Sequence, residues 1–216
     1  MPISIEFLRK RFESANALAA KAGRCAETSF LRVDKAPTAG SGKITFDIAK
    51  RNGEAPGERK LDINDTFVVT ALGLYINTEV TAKAGSGILD TYPVAAKLTS
   101  PVDFYAIYNG AVSIKTGQTV NFEAIPARSF LHIPQTQPVS VLDSEDAKVD
   151  AGLVPQFDVT DHALYLPEEV TFSGAKTPEI NLEFPTYAGA DFSALVNTNN
   201  IKMSLIVYGY LIKSTN

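Results

Sequence analysis

The sequence predicts a mainly β protein: an antiparallel jelly-roll or Greek-key β-sandwich led by an N-terminal α-helix. Three observations carry that expectation. About ten short runs rich in β-branched and aromatic residues fill most of the 216 positions, and turn-forming Gly, Pro and Asn residues separate them. The last run, Lys202 to Lys213, is apolar at odd and even positions alike. A strand buried on both faces lies inside a sheet, so the chain closes by returning to pair with an early strand, as Greek-key and jelly-roll folds do. Finally, no fixed-period repeat runs through the chain, which argues against a propeller or solenoid.

The helix comes first. Ile5, Leu8, Phe12, Ala15, Ala19 and Ala22 recur at three- and four-residue steps, the period of one helical face. Ser4 suits the N-cap and Gly23 the C′ position. Residues 4–22 would then span roughly 28 Å. The plain expectation is a helix lying on a sheet with Arg9, Lys10 and Arg11 in solvent. The functional expectation is an arm, residues 1–24, that docks on a neighbouring subunit or offers its basic cluster to nucleic acid.

Beyond Gly23 the period changes to two. Residues 28–33 and 43–48 read as strands around a turn-rich loop at 37–42, and 51–59 as a second, exposed loop. Residues 66–76 are apolar on both faces and belong in the middle of a sheet. Residues 81–87 read as small and flexible, and 92–96 as irregular. Asn109-Gly110, between Phe104–Tyr108 and Ala111–Lys115, has the composition of a two-residue type I′ turn, so 104–115 reads as a tight hairpin. Strands are expected at 119–124, 129–133, 170–172 and 180–184. Residues 134–162, broken by Pro134, Pro138, Gly152 and Pro155, read as a long insertion within a β-sandwich domain covering residues 25–216. Asn197 to Asn200 should turn the chain into the last strand.

Composition narrows the function classes. Apolar residues make up 45% and charged residues 20% of the chain, a globular balance. The net charge of −4 argues against wholesale nucleic-acid binding, although residues 1–24 carry +3 and the remainder −7. Cys25 is the one cysteine, so no internal disulfide is expected, and its place after a helix end disfavours a reactive thiolate. The charged residues of the first helix interrupt any secretory leader, and no membrane span is expected.

Groups suited to catalysis are few. Ala39-Gly-Ser-Gly-Lys43 shares the end of a phosphate-binding loop, but Pro37 stands where the motif needs glycine and Ile44 where it needs a hydroxyl. Asp158, Asp161 and His162 offer metal-ligand chemistry within five residues, and Asp143, Glu145 and Asp146 could attract calcium. Solvated loop acids account for both groups more simply. No Gly-x-Ser-x-Gly elbow exists, and His132 lies in an apolar run where a satisfied strand histidine is expected. Tyr75, Tyr105, Tyr108, Tyr208 and Tyr210 suit core packing, with a tyrosine-lined sugar site as the functional alternative. The sequence therefore assigns no catalytic, cofactor-binding or metal-binding residue.

Residues 61–75, the 104–115 segment and Phe130-Leu-His-Ile-Pro-Gln-Thr-Gln137 resemble the jelly-roll capsid and capsid-associated structural proteins of bacterial viruses. The likeness covers residues 28–137 and 200–213 and is one of texture: a helix-led chain, long strands, and loops rich in Asn, Thr, Gln and Pro. It implies a virion structural protein without enzymatic turnover, a capsid shell subunit made in the host cytoplasm. Its implied partners are copies of itself and other virion proteins, with weak nucleic-acid contact through the basic arm. A decoration protein, a carbohydrate- or receptor-binding β-sandwich, and a hydrolase on a β scaffold are the other classes to separate. No residue-level functional position follows from the resemblance.

Overall fold

A computed structural model describes residues 5–50, 54–79, 87–95, 97–133, 135–142, 148–156, 163–193 and 200–214. In chain order the elements are α1 (Ile5–Lys21), β1 (Glu27–Lys35), β2 (Lys43–Asp47), β3 (Thr66–Glu79), β4 (Ile88–Asp90) and α2 (Pro101–Tyr108). They continue with β5 (Ala111–Thr116), β6 (Thr119–Pro126), a 3-10 turn (Ala127–Phe130), β7 (Gln135–Leu142), β8 (Lys148–Gln156), β9 (Leu164–Ser173), β10 (Pro178–Glu183) and β11 (Asn200–Ile212). The protein is mainly β, its sheets are antiparallel and a helix leads the chain.

Two sheets carry the core. In the first, β11 lies between β1 and β3, while the far side of β3 is shared by β9 over its first half and β4 over its last residues. In the second, the order is β2-β10-β5-β6. Four of the antiparallel pairs are nested in sequence, outermost to innermost: β1 with β11, β2 with β10, β3 with β9, and β5 with β6. Two further contacts, β11 with β3 and β10 with β5, join alternate pairs into the two sheets. β7 and β8 pair with each other in a separate two-stranded ribbon.

Strand alternation explains how the sheets meet. Leu31, Val33, Leu72, Leu74, Leu205 and Val207 from the first sheet and Phe46, Val112, Ile114, Ile180 and Leu182 from the second are buried in one continuous apolar cluster. Fully burying such a side chain contributes about 1.5–3 kcal/mol. β3 and β11 are the expected central strands, buried along nearly their whole length. Their register shifts between Tyr208 and Gly209, and a Cβ on Gly209 would sit 2.0 Å from the Val68 carbonyl oxygen, so only glycine allows this approach.

Several expectations need correction. Residues 104–108 are not the first strand of a hairpin but belong to α2. Pro101 occupies the first helical turn, and Phe104, Ile107 and Tyr108 bury one face while Val102 and Tyr105 stay exposed. Asn109 and Gly110 close that helix by donating to the Ala106 and Ile107 carbonyls. The two-residue turn lies eight residues later, at Gly117-Gln118, where Thr116 pairs with Thr119 across a left-handed Gly117 (φ 60°). The expected strand at 129–133 is replaced by the 3-10 turn, which buries Ala127 and Phe130, and an extended segment. The strand expected at 170–172 is longer, and the 134–162 insertion holds the β7–β8 ribbon.

The helix also differs in its facing. Arg11, Ala15 and Ala19 are its buried positions, whereas Ile5 and Phe12 are exposed at 85% and 42%. Ala22 is exposed as well. Ala15 and Ala19 pack on Val68 and Ile212 of β3 and β11, which places α1 on the outer side of the first sheet. Small alanines let the helix approach closely. Gly23 ends it in the left-handed region (φ 66°), as expected.

Candidate functional site

The outer face of the β1-β11-β3 sheet holds most of the polar structure. Asp34 on β1 lies opposite Ser204 on β11, which lies opposite Tyr75 on β3, so the three share a face. The Asp34 carboxylate is nearly sealed, its side chain 2% exposed. It accepts both Nε (3.0 Å) and Nη2 (2.9 Å) of Arg32, Oγ–H of Ser204 (2.6 Å) and Nδ2 of Asn77 (3.3 Å). Its backbone N–H donates to Glu58 (3.0 Å), and the Arg32 and Arg59 backbones exchange two hydrogen bonds. In the described part of the 51–59 loop, residues 54–57 and Arg59 are exposed as expected, while Glu58 and the Arg59 backbone tie its end to the β1 edge. Burial opposes ionisation of Glu58, but the Ala55 and Asp34 N–H groups and Lys60 outweigh it and hold the carboxyl below its usual range.

One turn of strand further along, Tyr75 crosses the gap left by Gly73 to bring its hydroxyl 3.1 Å from that of Tyr208. Burial first, then this contact, pushes the Tyr75 phenol well above its ordinary value. Thr70, at the β3 irregularity, donates to the Tyr208 carbonyl (3.0 Å). Between these groups and the start of α1 lies a groove of about 340 Å3, lined by Leu8, Thr70, Tyr165, Tyr208 and Tyr210 among others. The sequence did not single out Tyr165; β9 pairing places it opposite Ala71. A wider cleft of about 630 Å3 lies beside Arg59, Lys60, Asp62 and Lys213.

Of the basic cluster of α1, Arg9 and Lys10 stay in solvent as expected, and only Arg11 is taken into the fold. Arg11, expected in solvent, is buried and donates to the Leu166 (3.1 Å) and Pro167 (2.9 Å) carbonyls, with Glu169 at 3.7 Å. Unlike a free lysine on a polar face, it holds the β9 backbone against the helix. Arg9 pairs with Glu13 and Lys10 with Glu6 across one helical turn.

The remaining sequence candidates are placed as follows. Lys43 begins β2 and pairs with Glu183 of β10 at 3.4 Å, so strand–loop–strand flanks hold and the loop is no phosphate cradle opening a helix. His132 lies past the 3-10 turn, not in a strand. Its backbone is fixed to Thr91, N–H to the Thr91 carbonyl (3.2 Å) and carbonyl to the Thr91 hydroxyl (2.6 Å). Asp158, Asp161 and His162, and Asp143, Glu145 and Asp146, lie outside the described residues. Among the described residues no three His, Cys, Asp or Glu side chains gather as a metal site. Cys25 is exposed and free. Tyr108 is core, its phenol raised by burial, while Tyr105 is exposed. No described helix is long and apolar enough to cross a membrane.

At the N-terminal end of α2, Asp103 accepts the Asp191 backbone N–H (2.8 Å) and the Tyr187 hydroxyl (2.9 Å). The Asp191 N–H above all holds its carboxyl below the usual range. The exposed side chains Val102 and Tyr187 lie on these same segments. Comparison with protein-family models, curated proteins and solved structures finds no match to this chain.

Proposed function

We propose that this chain is a virion structural protein: a jelly-roll capsid shell subunit, made in the host cytoplasm, that assembles through repeated contacts with its own copies. The nested strand pairing carries the reading. Setting aside short β4 and the β7–β8 ribbon, eight strands remain in the orders 1-8-3-6 and 2-7-4-5. Folding one long antiparallel ribbon of four pairs into two facing sheets would give that order, which supports the jelly-roll arrangement used by viral capsid and lectin domains and by cupins. Exposed apolar residues at the periphery, Ile63, Ile88, Val102, Ile133 and Tyr187, supply contact area for neighbours. The pairing of Arg9 and Lys10 and the burial of Arg11 weaken the case for nucleic-acid contact through α1.

Electron microscopy and sedimentation of the purified protein test the reading. Shells, or rings of capsomer size, are the expected result. A protein that remains monomeric at high concentration overturns it. Rings that form only on a pre-existing shell of another protein would instead identify a decoration subunit.

A second reading has one observation behind it. The groove faced by Tyr165, Tyr208 and Tyr210 has the aromatic lining that sugar rings stack on, which supports a carbohydrate-binding module. A monomer that binds immobilised glycans, and loses binding on Tyr208→Ala, would favour it over the shell subunit.

A further inference from the structure

Among the described residues the β7–β8 ribbon belongs to neither core sheet. Gln135 to Leu142 pairs with Lys148 to Gln156, and among the described residues neither strand pairs with any other. A two-stranded ribbon by itself is marginally stable in water. The second sheet meanwhile ends on β6, whose free edge no described strand covers. Thr119 to Asn121, Glu123 and Ala124 are exposed, and only Phe122 and Ile125 lean on the core. β6 carries no lysine, its proline is its last residue and Glu123 is its one charge, so its first four residues have neither charge nor proline to block a further strand. Its irregular register with β5 increases local twist, which matches the strong twist of a two-stranded ribbon.

We propose that the ribbon of one subunit adds to the β6 edge of a second copy of this chain, with β8 as the pairing strand. This rests on the shell-subunit reading for the identity of the partner. The ribbon's own β6 is the wrong acceptor. After β6 the chain is held down by Ala127 N–H on the Gly110 carbonyl and by the paired bonds of His132 and Thr91, three residues before the ribbon starts. β8 is preferred to β7 because Pro138 removes a backbone donor mid-way along β7, whereas residues 148–154 contain no proline. Strand lengths agree, eight residues in β6 against nine in β8. Backbone bonds supply affinity in such strand addition, and side chains at alternate positions supply specificity. The contact uses different surfaces on the two copies, so it propagates around a ring or shell.

The test uses the full chain and two variants. In one, residues 136–155 are replaced by Gly-Ser-Gly, which the opposed positions of Gln135 and Gln156 allow. In the other, Val120→Lys places a charge on the exposed edge. Sedimentation gives the size of each, and hydrogen exchange resolved by residue gives the protection of 119–126 and 148–154. Exchange in both segments should slow by at least about tenfold in the assembled full chain relative to its dissociated form. Both variants should lose that protection and the larger species with it. Small ribbon-linked oligomers that never become shells would uphold this contact and remove the shell reading. Shells formed by the ribbon-shortened chain, with 119–126 exchanging as in the full chain, would overturn this contact and leave the shell reading standing. A full chain that stays monomeric overturns both. Should either variant fail to fold, the protection pattern of the full chain decides alone: slowing in only one of the two segments refutes the pairing.

Discussion

Replacing Asp34 with alanine strikes the most heavily bonded side chain on the outer face of the first sheet. The carboxylate receives four hydrogen bonds, two from Arg32 and one each from Ser204 and Asn77. Ser204 and Asn77 are wholly buried, and the Arg32 side chain is only 14% exposed. The variant therefore leaves a guanidinium and two polar side chains without their acceptor in a place water hardly reaches. Removing one partner of a buried ion pair costs about 3–5 kcal/mol, because the other charge stays behind uncompensated. In a protein of this size that lowers the midpoint of thermal unfolding by roughly 6–20 °C. The chain has eight tyrosines and no tryptophan, so urea unfolding is best followed by far-UV circular dichroism with tyrosine fluorescence as a second probe. Arg32→Met combined with Asp34→Ala should recover part of the loss, since no buried charge is then stranded. A loss below about 1 kcal/mol for Asp34→Ala, the range of solvent-exposed pairs, would refute the claim that this network is sealed and structural.

The other predictions concern separate elements. Arg11→Met should cost about 1–3 kcal/mol by leaving the Leu166 and Pro167 carbonyls without their donor; an unchanged urea midpoint would mean that α1 is not clamped to β9. Gly110→Ala should cost about 1–3 kcal/mol, since the added Cβ would meet the Glu183 carbonyl oxygen at 2.2 Å; in a true type I′ turn the loss would come from the backbone angle, and a Gly110→Asn variant would be tolerated. Asp103 has a folded-state pKa below its unfolded value, so its contribution is fully present above the unfolded carboxylate value of about 3.9 and is lost as pH falls through the folded one. Urea midpoints measured between neutral and acid pH should therefore fall less steeply in Asp103→Asn than in the wild type, and parallel curves would remove Asp103 from the acid response.

How much of this was legible in the residues differs by element. The two central strands were, because β3 and β11 carry apolar residues at odd and even positions alike, the pattern of a strand covered on both faces. The leading helix and its Gly23 end were legible from local period and conformation. The stretch 104–108 is ambiguous in sequence because five consecutive apolar and aromatic residues suit a buried strand and a short buried helix equally. Pro101 at the helix start is the one local sign of the helix. Arg11 was misplaced for a related reason. Burying its guanidinium depends on two carbonyls 155 and 156 residues away, and no local pattern records that they are there.

The sequence by itself determined that the chain is mainly extended, where its first helix stops and which two strands are central. Those properties follow from side-chain period, turn chemistry and the need to bury apolar surface, all of which act over a few residues. Tertiary structure alone decided the nesting of the four strand pairs, the gathering of Arg32, Asp34, Asn77 and Ser204, the meeting of Tyr75 with Tyr208, and the isolation of the β7–β8 ribbon. These depend on which distant strands become neighbours. Pairing energy is similar for many strand combinations, so the choice is made by the fit of whole sheets around one core, and a single stretch of residues does not carry it.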